Sequence, residues 1–151
     1  HKDNALFTIL MWMNVPTVTS IRFFGTASTA AQIGIAWGTT GAGLLSQDVF
    51  NGTGAAARTF GGAQMVVDTW QCVAWSHNEA AASGGGITMV NGTTTAGFNS
   101  YTTPSAAAST HTTKIGADGA TGTRMPSAGR LAIAMAWEGV TLSATQLVSV
   151  F

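Results

Sequence analysis

The chain has 151 residues, 46% of them hydrophobic, with six basic and six acidic side chains and no formal net charge. That length suits one domain, residues 1–151, with enough apolar side chains for a sizeable core. The few charges supply no field to attract nucleic acid or an anionic membrane surface. No apolar run approaches the roughly 18 residues of a membrane span, and a single cysteine, Cys72, permits neither an internal disulfide nor a thiolate metal site.

Residues 6–13, Leu-Phe-Thr-Ile-Leu-Met-Trp-Met, are apolar on both faces apart from Thr8 and stop at Asn14-Val15-Pro16, which predicts a central strand. Short strands follow at residues 20–24, stopped by Gly25, and at residues 32–37, where Ile33, Ile35 and Trp37 share a face. Another is expected around Leu44 and Leu45, ending at Asn51-Gly52, a dipeptide suited to a tight hairpin turn. Residues 65–67 and 70–76 read as two strands of a hairpin around Asp68-Thr69, and Cys72 falls inside the second as a buried, inert thiol. Trp12, Trp70, Trp75 and Trp137 are assigned to core or inter-sheet packing.

Residues 87–90 lead into a second Asn-Gly turn at Asn91-Gly92. The Thr/Ser/Ala stretch 93–110 has weak pattern and reads as a loop suited to binding. Residues 111–115 form a strand, and residues 129–137 another, in which Leu131, Ile133, Met135 and Trp137 alternate with alanines. Both faces of that last strand are apolar, so it is placed in the middle of a sheet. Ser143 and Gln146 have capping-box spacing, with Leu142 and Leu147 as hydrophobic staple, which predicts a short C-terminal helical turn. With no long amphipathic helix and with Gly, Pro or Asn stops between short apolar runs, the class is all-β.

The succession Phe7-Thr8-Ile9-x-x-Trp12, Trp70-x-x-Val73-Ala74, Ile87-x-Met89-Val90-Asn91-Gly92, Lys114-Ile115-Gly116, Gly129-x-Leu131-Ala132-Ile133 and Leu142-Ser143-x-x-Gln146-Leu147 resembles the concanavalin A-like jelly-roll superfamily, in its laminin-G-like and pentraxin-like branch. The resemblance spans almost the whole chain. It implies a two-sheet antiparallel jelly-roll sandwich with about six or seven strands per sheet and one short C-terminal helical turn. Members usually carry a further strand before the Phe-Thr-Ile strand, and only five residues precede Leu6 here. An edge left open in that way could pair with another chain.

The resemblance leaves function open, since this fold carries lectins, adhesion modules, glycanases and virion components. A glycanase needs two neighbouring carboxylates. Glu79, Glu138, Asp3, Asp48, Asp68 and Asp118 are scattered singly, so a non-enzymatic module is expected. His77 and His111 lack a nucleophile motif or a second ligand at fixed spacing, and a solvent-facing loop histidine is the reading for His77. Gly38-Thr39-Thr40-Gly41-Ala42-Gly43 lacks the lysine and helix of a phosphate cradle. Asn51-Gly52-Thr53 and Asn91-Gly92-Thr93 match the glycosylation pattern but suit hairpin turns equally well.

Relatives that bind calcium hold it with aspartates and carbonyls, which makes Asp118 with Asp48 or Asp68 the candidate ligands; no other cofactor is expected. Glycan binding needs an exposed aromatic platform beside amides and hydroxyls, for which Trp37, Phe98, Asn99 and Tyr101 are the candidates, although Trp37 shares parity with Ile33 and Ile35 and the core is the favoured reading for it. The polar, nearly uncharged surface and the open first edge favour an interaction module acting through protein contacts on an extracellular or virion surface. Its partners would be copies of itself or a capsid or fibre scaffold. A lectin-like carbohydrate-binding module of a secreted protein is the alternative.

Overall fold

The structure of the chain, a computed structural model, describes residues 6–29, 31–53, 55–78, 86–96, 107–119 and 125–151. The described elements are β1 (Phe7–Asn14), β2 (Arg22–Gly25), β3 (Ile33–Thr39), β4 (Leu44–Asn51), β5 (Ala55–Gln64), β6 (Gln71–His77), β7 (Gly86–Val90), β8 (Thr93–Ala96), β9 (Lys114–Ile115), β10 (Arg130–Glu138) and α1 (Ala144–Ser149). They form two antiparallel five-stranded sheets, β10-β1-β6-β7-β8 and β5-β4-β3-β2-β9. The expected jelly-roll sandwich is present, with five strands per sheet among the described residues.

The odd-numbered residues of β1 explain how the sheets face each other. Phe7, Ile9, Met11 and Met13 point inward and meet Phe23, Ile35, Trp37, Leu45, Val49, Val73 and Trp75 in one buried cluster. A bulge in β2 pairs Arg22 with Gly38 but Phe24 with Trp37, so Phe23 and Phe24 both enter this cluster. Phe23 meets Trp37 edge-on at 5.4 Å, and Phe7 meets Trp75 the same way at 4.7 Å.

The even-numbered residues of β1 serve a second core. Leu10 joins Cys72, Ala74 and Met89 on the outer face of the first sheet, and Leu147 from α1 covers them. This double burial is why β1 is apolar on both faces. The capping box forms as expected: Ser143 Oγ accepts from the Gln146 amide, and Gln146 Oε1 accepts from the Ser143 amide. Thr8, the one polar residue in β1's apolar run, anchors the approach to α1. Its hydroxyl donates to Val140 O at 3.0 Å and accepts from the Leu142 amide at 3.1 Å.

Asn91 and Gly92 have φ of 47° and 81°, as a two-residue hairpin turn between β7 and β8 requires. Asn91 Oδ1 also accepts from the Cys72 amide at 2.9 Å, tying the turn to β6.

Several expectations need correction. Among the described residues β10 is an edge strand paired with β1 alone, not a central strand. Alternation of Ile133, Met135 and Trp137 with alanines reports apolar faces, but it cannot report whether a neighbour lies on each side. Ile133 and Met135 stay 50% and 38% exposed, because they lie on the outer face with no strand beyond them. Met65–Val67 is not strand: the strand is β5, immediately before, and Val66 and Val67 are exposed near the turn. Trp70 is exposed at the start of β6 rather than core. Residues 93–96, read as loop, form β8. No helix among the described residues is long and apolar enough to cross a membrane.

Candidate functional site

The outer face of the second sheet carries the polar site. Inward positions of β4 are Leu45, Gln47 and Val49, so Ser46 and Asp48 project to the opposite face. Across the sheet, Arg22 of β2 is opposite Gly38 of β3, and Gly38 is opposite Ser46 of β4. Gly38 presents no side chain between them, which lets the Arg22 side chain cross the sheet. A Cβ added at Gly38 would stand 3.0 Å from Arg22 Cδ and 1.9 Å from the Ile21 carbonyl oxygen. Arg22 Nη2 thereby donates to Asp48 Oδ2 at 3.0 Å, forming an ion pair whose side chains are 23% and 11% exposed.

Ser20, Thr39, Thr40 and Ser46 complete a hollow of about 360 Å³ around this pair. Ser20 stands at the rim with φ of 51°, a left-handed conformation unusual for serine, held by its amide donating to Thr40 O at 2.9 Å. The hydroxyl of Thr39 is committed to the scaffold: it donates to Val18 O and accepts from the Ile21 amide at 3.2 Å. Those of Ser20 and Ser46 bond to no other described residue, and Arg22 commits one of its five N–H donors. The hollow therefore offers a carboxylate, an unsaturated guanidinium and hydroxyls within one small volume. Hydrogen bonds to the charged members are the strong ones, roughly twice as strong as neutral bonds.

The residues singled out from sequence fall differently. Trp37 is fully buried on the inner face of β3, 6.2 Å from the Trp75 ring, and this burial takes it out of reach of any ligand on the surface. Phe98, Asn99, Tyr101 and Glu79 lie outside the described residues. His77 is not a solvent-facing loop residue: it is buried at the end of β6, stacked on Phe7 at 4.9 Å. His111 Nε2 lies 2.9 Å from Gln32 Nε2.

The candidate calcium aspartates occupy three settings. Asp48 pairs with Arg22, Asp68 lies in the turn before β6 with φ of 54°, and Asp118 is buried with its backbone against Gly25. Gly25 and Asp48 stand on either side of Ala36, so roughly 10 Å of sheet separates Asp118 from Asp48. Among the described residues, no three His, Cys, Asp or Glu side chains come together as metal ligands would. Arg22 was missed from sequence. A lone arginine inside the apolar run Ser20-Ile21-Arg22-Phe23-Phe24 was the available signal.

Comparison with solved structures identifies the architecture. The carbohydrate-binding module CBM40 of the Ruminococcus gnavus IT-sialidase, bound to α2,3-sialyllactose, matches 97% of this chain and 82% of its own at a TM-score of 0.70 and 14% identity. The fold is a concanavalin A-like jelly roll. A second structure of that R. gnavus module matches this jelly roll over 98% of the chain and 83% of its own, with a TM-score of 0.69 and 13% identity. The native heptameric SAP-like pentraxin of Limulus polyphemus matches 96% of the jelly roll and 69% of its own chain, with a TM-score of 0.55 and 11% identity. No protein-family model matches the chain, and no curated protein sequence does.

Proposed function

We propose that this jelly roll is a non-enzymatic carbohydrate-binding module that holds a glycan in the Arg22–Asp48 hollow. The observation that carries the reading is the ion pair itself, partly exposed in a hollow lined by hydroxyl residues on the outer face of the sheet. Sugar hydroxyls both donate and accept, so Asp48 Oδ atoms and Arg22 N–H groups suit two neighbouring hydroxyls of one ring. The donors that Arg22 retains also suit a carboxylate on an acidic sugar.

The sialyllactose-bound R. gnavus module supports this reading at the level of fold, and it makes α2,3-sialyllactose the first probe to use. An extracellular setting goes with it. The expectation of a capsid or fibre decoration domain draws no support from the matched structures named above, which are carbohydrate-binding modules and a pentraxin.

Titration of the purified chain with α2,3-sialyllactose and with lactose tests the proposal. Binding that disappears in Arg22→Met, while the circular dichroism spectrum and melting temperature hold, is the expected result. Undiminished binding in that variant would move the site elsewhere.

A further inference from the structure

A second surface lies at one edge of the sandwich, where β10 borders the space between the sheets. Three observations meet there. First, β10 has nine residues and, among the described residues, one hydrogen-bonded neighbour, β1, so toward the described residues its other edge presents backbone N–H and C=O groups in a row. No charged residue or proline interrupts residues 131–137; charges stand only at the ends, Arg130 and Glu138.

Second, the inward face of β10 is undersized. Register with β1 puts Ala134 opposite Met11, Ala136 opposite Ile9 and Glu138 opposite Phe7, all on the core side. Both alanines remain exposed, and β9, at the edge of the facing sheet, is two residues long. Third, the gap that results is an apolar cleft of about 270 Å³, lined chiefly by Phe7, Ile9, Phe24, Ile35, Ile115 and Ala136, with Glu138 at its mouth. A cavity of about 150 Å³ accepts a benzene ring, so this one has room for two aliphatic side chains.

We propose that this edge and cleft together form a docking site for an extended segment of a partner polypeptide, added antiparallel beside β10. Backbone bonds to β10 would supply affinity, and alternate side chains entering the cleft would supply selection. The occupant has a definite chemistry. Positions opposite Ala136 and Ala134 carry large aliphatic residues that reach Phe24 and Ile115, the position opposite Glu138 carries lysine or arginine, and the far end near Arg130 carries an acid. A second copy pairing through its own β10 does not meet this description, because its inward residues at the same depth are again alanines, which leave the cleft unfilled.

The test uses two acetylated peptides, Lys-Thr-Leu-Thr-Leu-Thr-Thr-Thr-Glu and the same sequence with both leucines replaced by serine. Fluorescence anisotropy gives the affinities, and amide hydrogen exchange reports on residues 131–137. The leucine peptide is expected to bind at least tenfold more tightly and to slow exchange at alternate β10 amides. Ala136→Asp, on the exposed edge, and Ile115→Ser, also exposed, should each weaken binding at least tenfold. Equal affinity for the two peptides, no binding of either, or binding without β10 protection would overturn the proposal. So would concentration-dependent dimerisation that protects β10 without peptide, which would assign the edge to a second copy.

Discussion

Arg22 reaches Asp48 by lying across Gly38, so a residue of β2 is bonded to one of β4 with a whole strand between them. The glycine is what makes the contact geometrically open. The pair is then held in a hollow whose other described lining residues, Ser20, Thr39, Thr40 and Ser46, all carry hydroxyls.

Gly38→Ala is the most economical way to break this arrangement. Its methyl group would stand 1.9 Å from the Ile21 carbonyl, which is backbone and cannot rotate away. The strand pair must shift, at a cost of about 1–3 kcal/mol. Chemical denaturation should show that loss, and glycan titration should show weakened binding even where the variant remains folded.

How much of this was legible in the sequence depends on the range of the interactions involved. The β1 strand, the Asn91-Gly92 turn and the Ser143/Gln146 capping box each rest on residues a few positions apart, and each is where the sequence put it. β5 was not, because Ala-Ala-Ala and Gly-Gly have poor strand propensity; its pairing with β4 overrides local preference. The site depended on range still more. Arg22 and Asp48 are 26 positions apart and meet only through sheet register. Trp37 showed the parity of a core residue alongside Ile35, and the core is where it lies.

Gln47 is a weak point in that core. It projects inward beside Trp37, fully buried, and neither its amide nitrogen nor its amide oxygen is hydrogen-bonded to another described residue. A buried polar group left without partners costs about 1–3 kcal/mol. Gln47→Met, of similar shape and without those groups, should raise the unfolding free energy by about 1 kcal/mol. A fall in stability would mean that the amide has a bonding role.

Cys72 lies under the helix α1, and burial pushes its thiol pKa up from 9.0 to about 11. Below pH 9 both folded and unfolded chains keep the proton, and stability is unaffected by this group. As pH rises from 9 to about 11, the unfolded chain ionises first, so stability falls by up to about 1.4 kcal/mol per pH unit. Denaturation midpoints between pH 8 and 11 should show a steeper decline for the natural chain than for Cys72→Ala. The native thiol should also resist a water-soluble thiol reagent at pH 8 and react once the chain is unfolded.

The most direct measurement is a glycan array probed in parallel with the natural chain and with Arg22→Met, each with and without calcium. Binding to a defined set of glycans by the natural chain, lost in the folded variant, is the result expected for a module that reads sugars through the Arg22–Asp48 hollow. A blank array for the natural chain under both conditions, or the same pattern from both proteins, would contradict it.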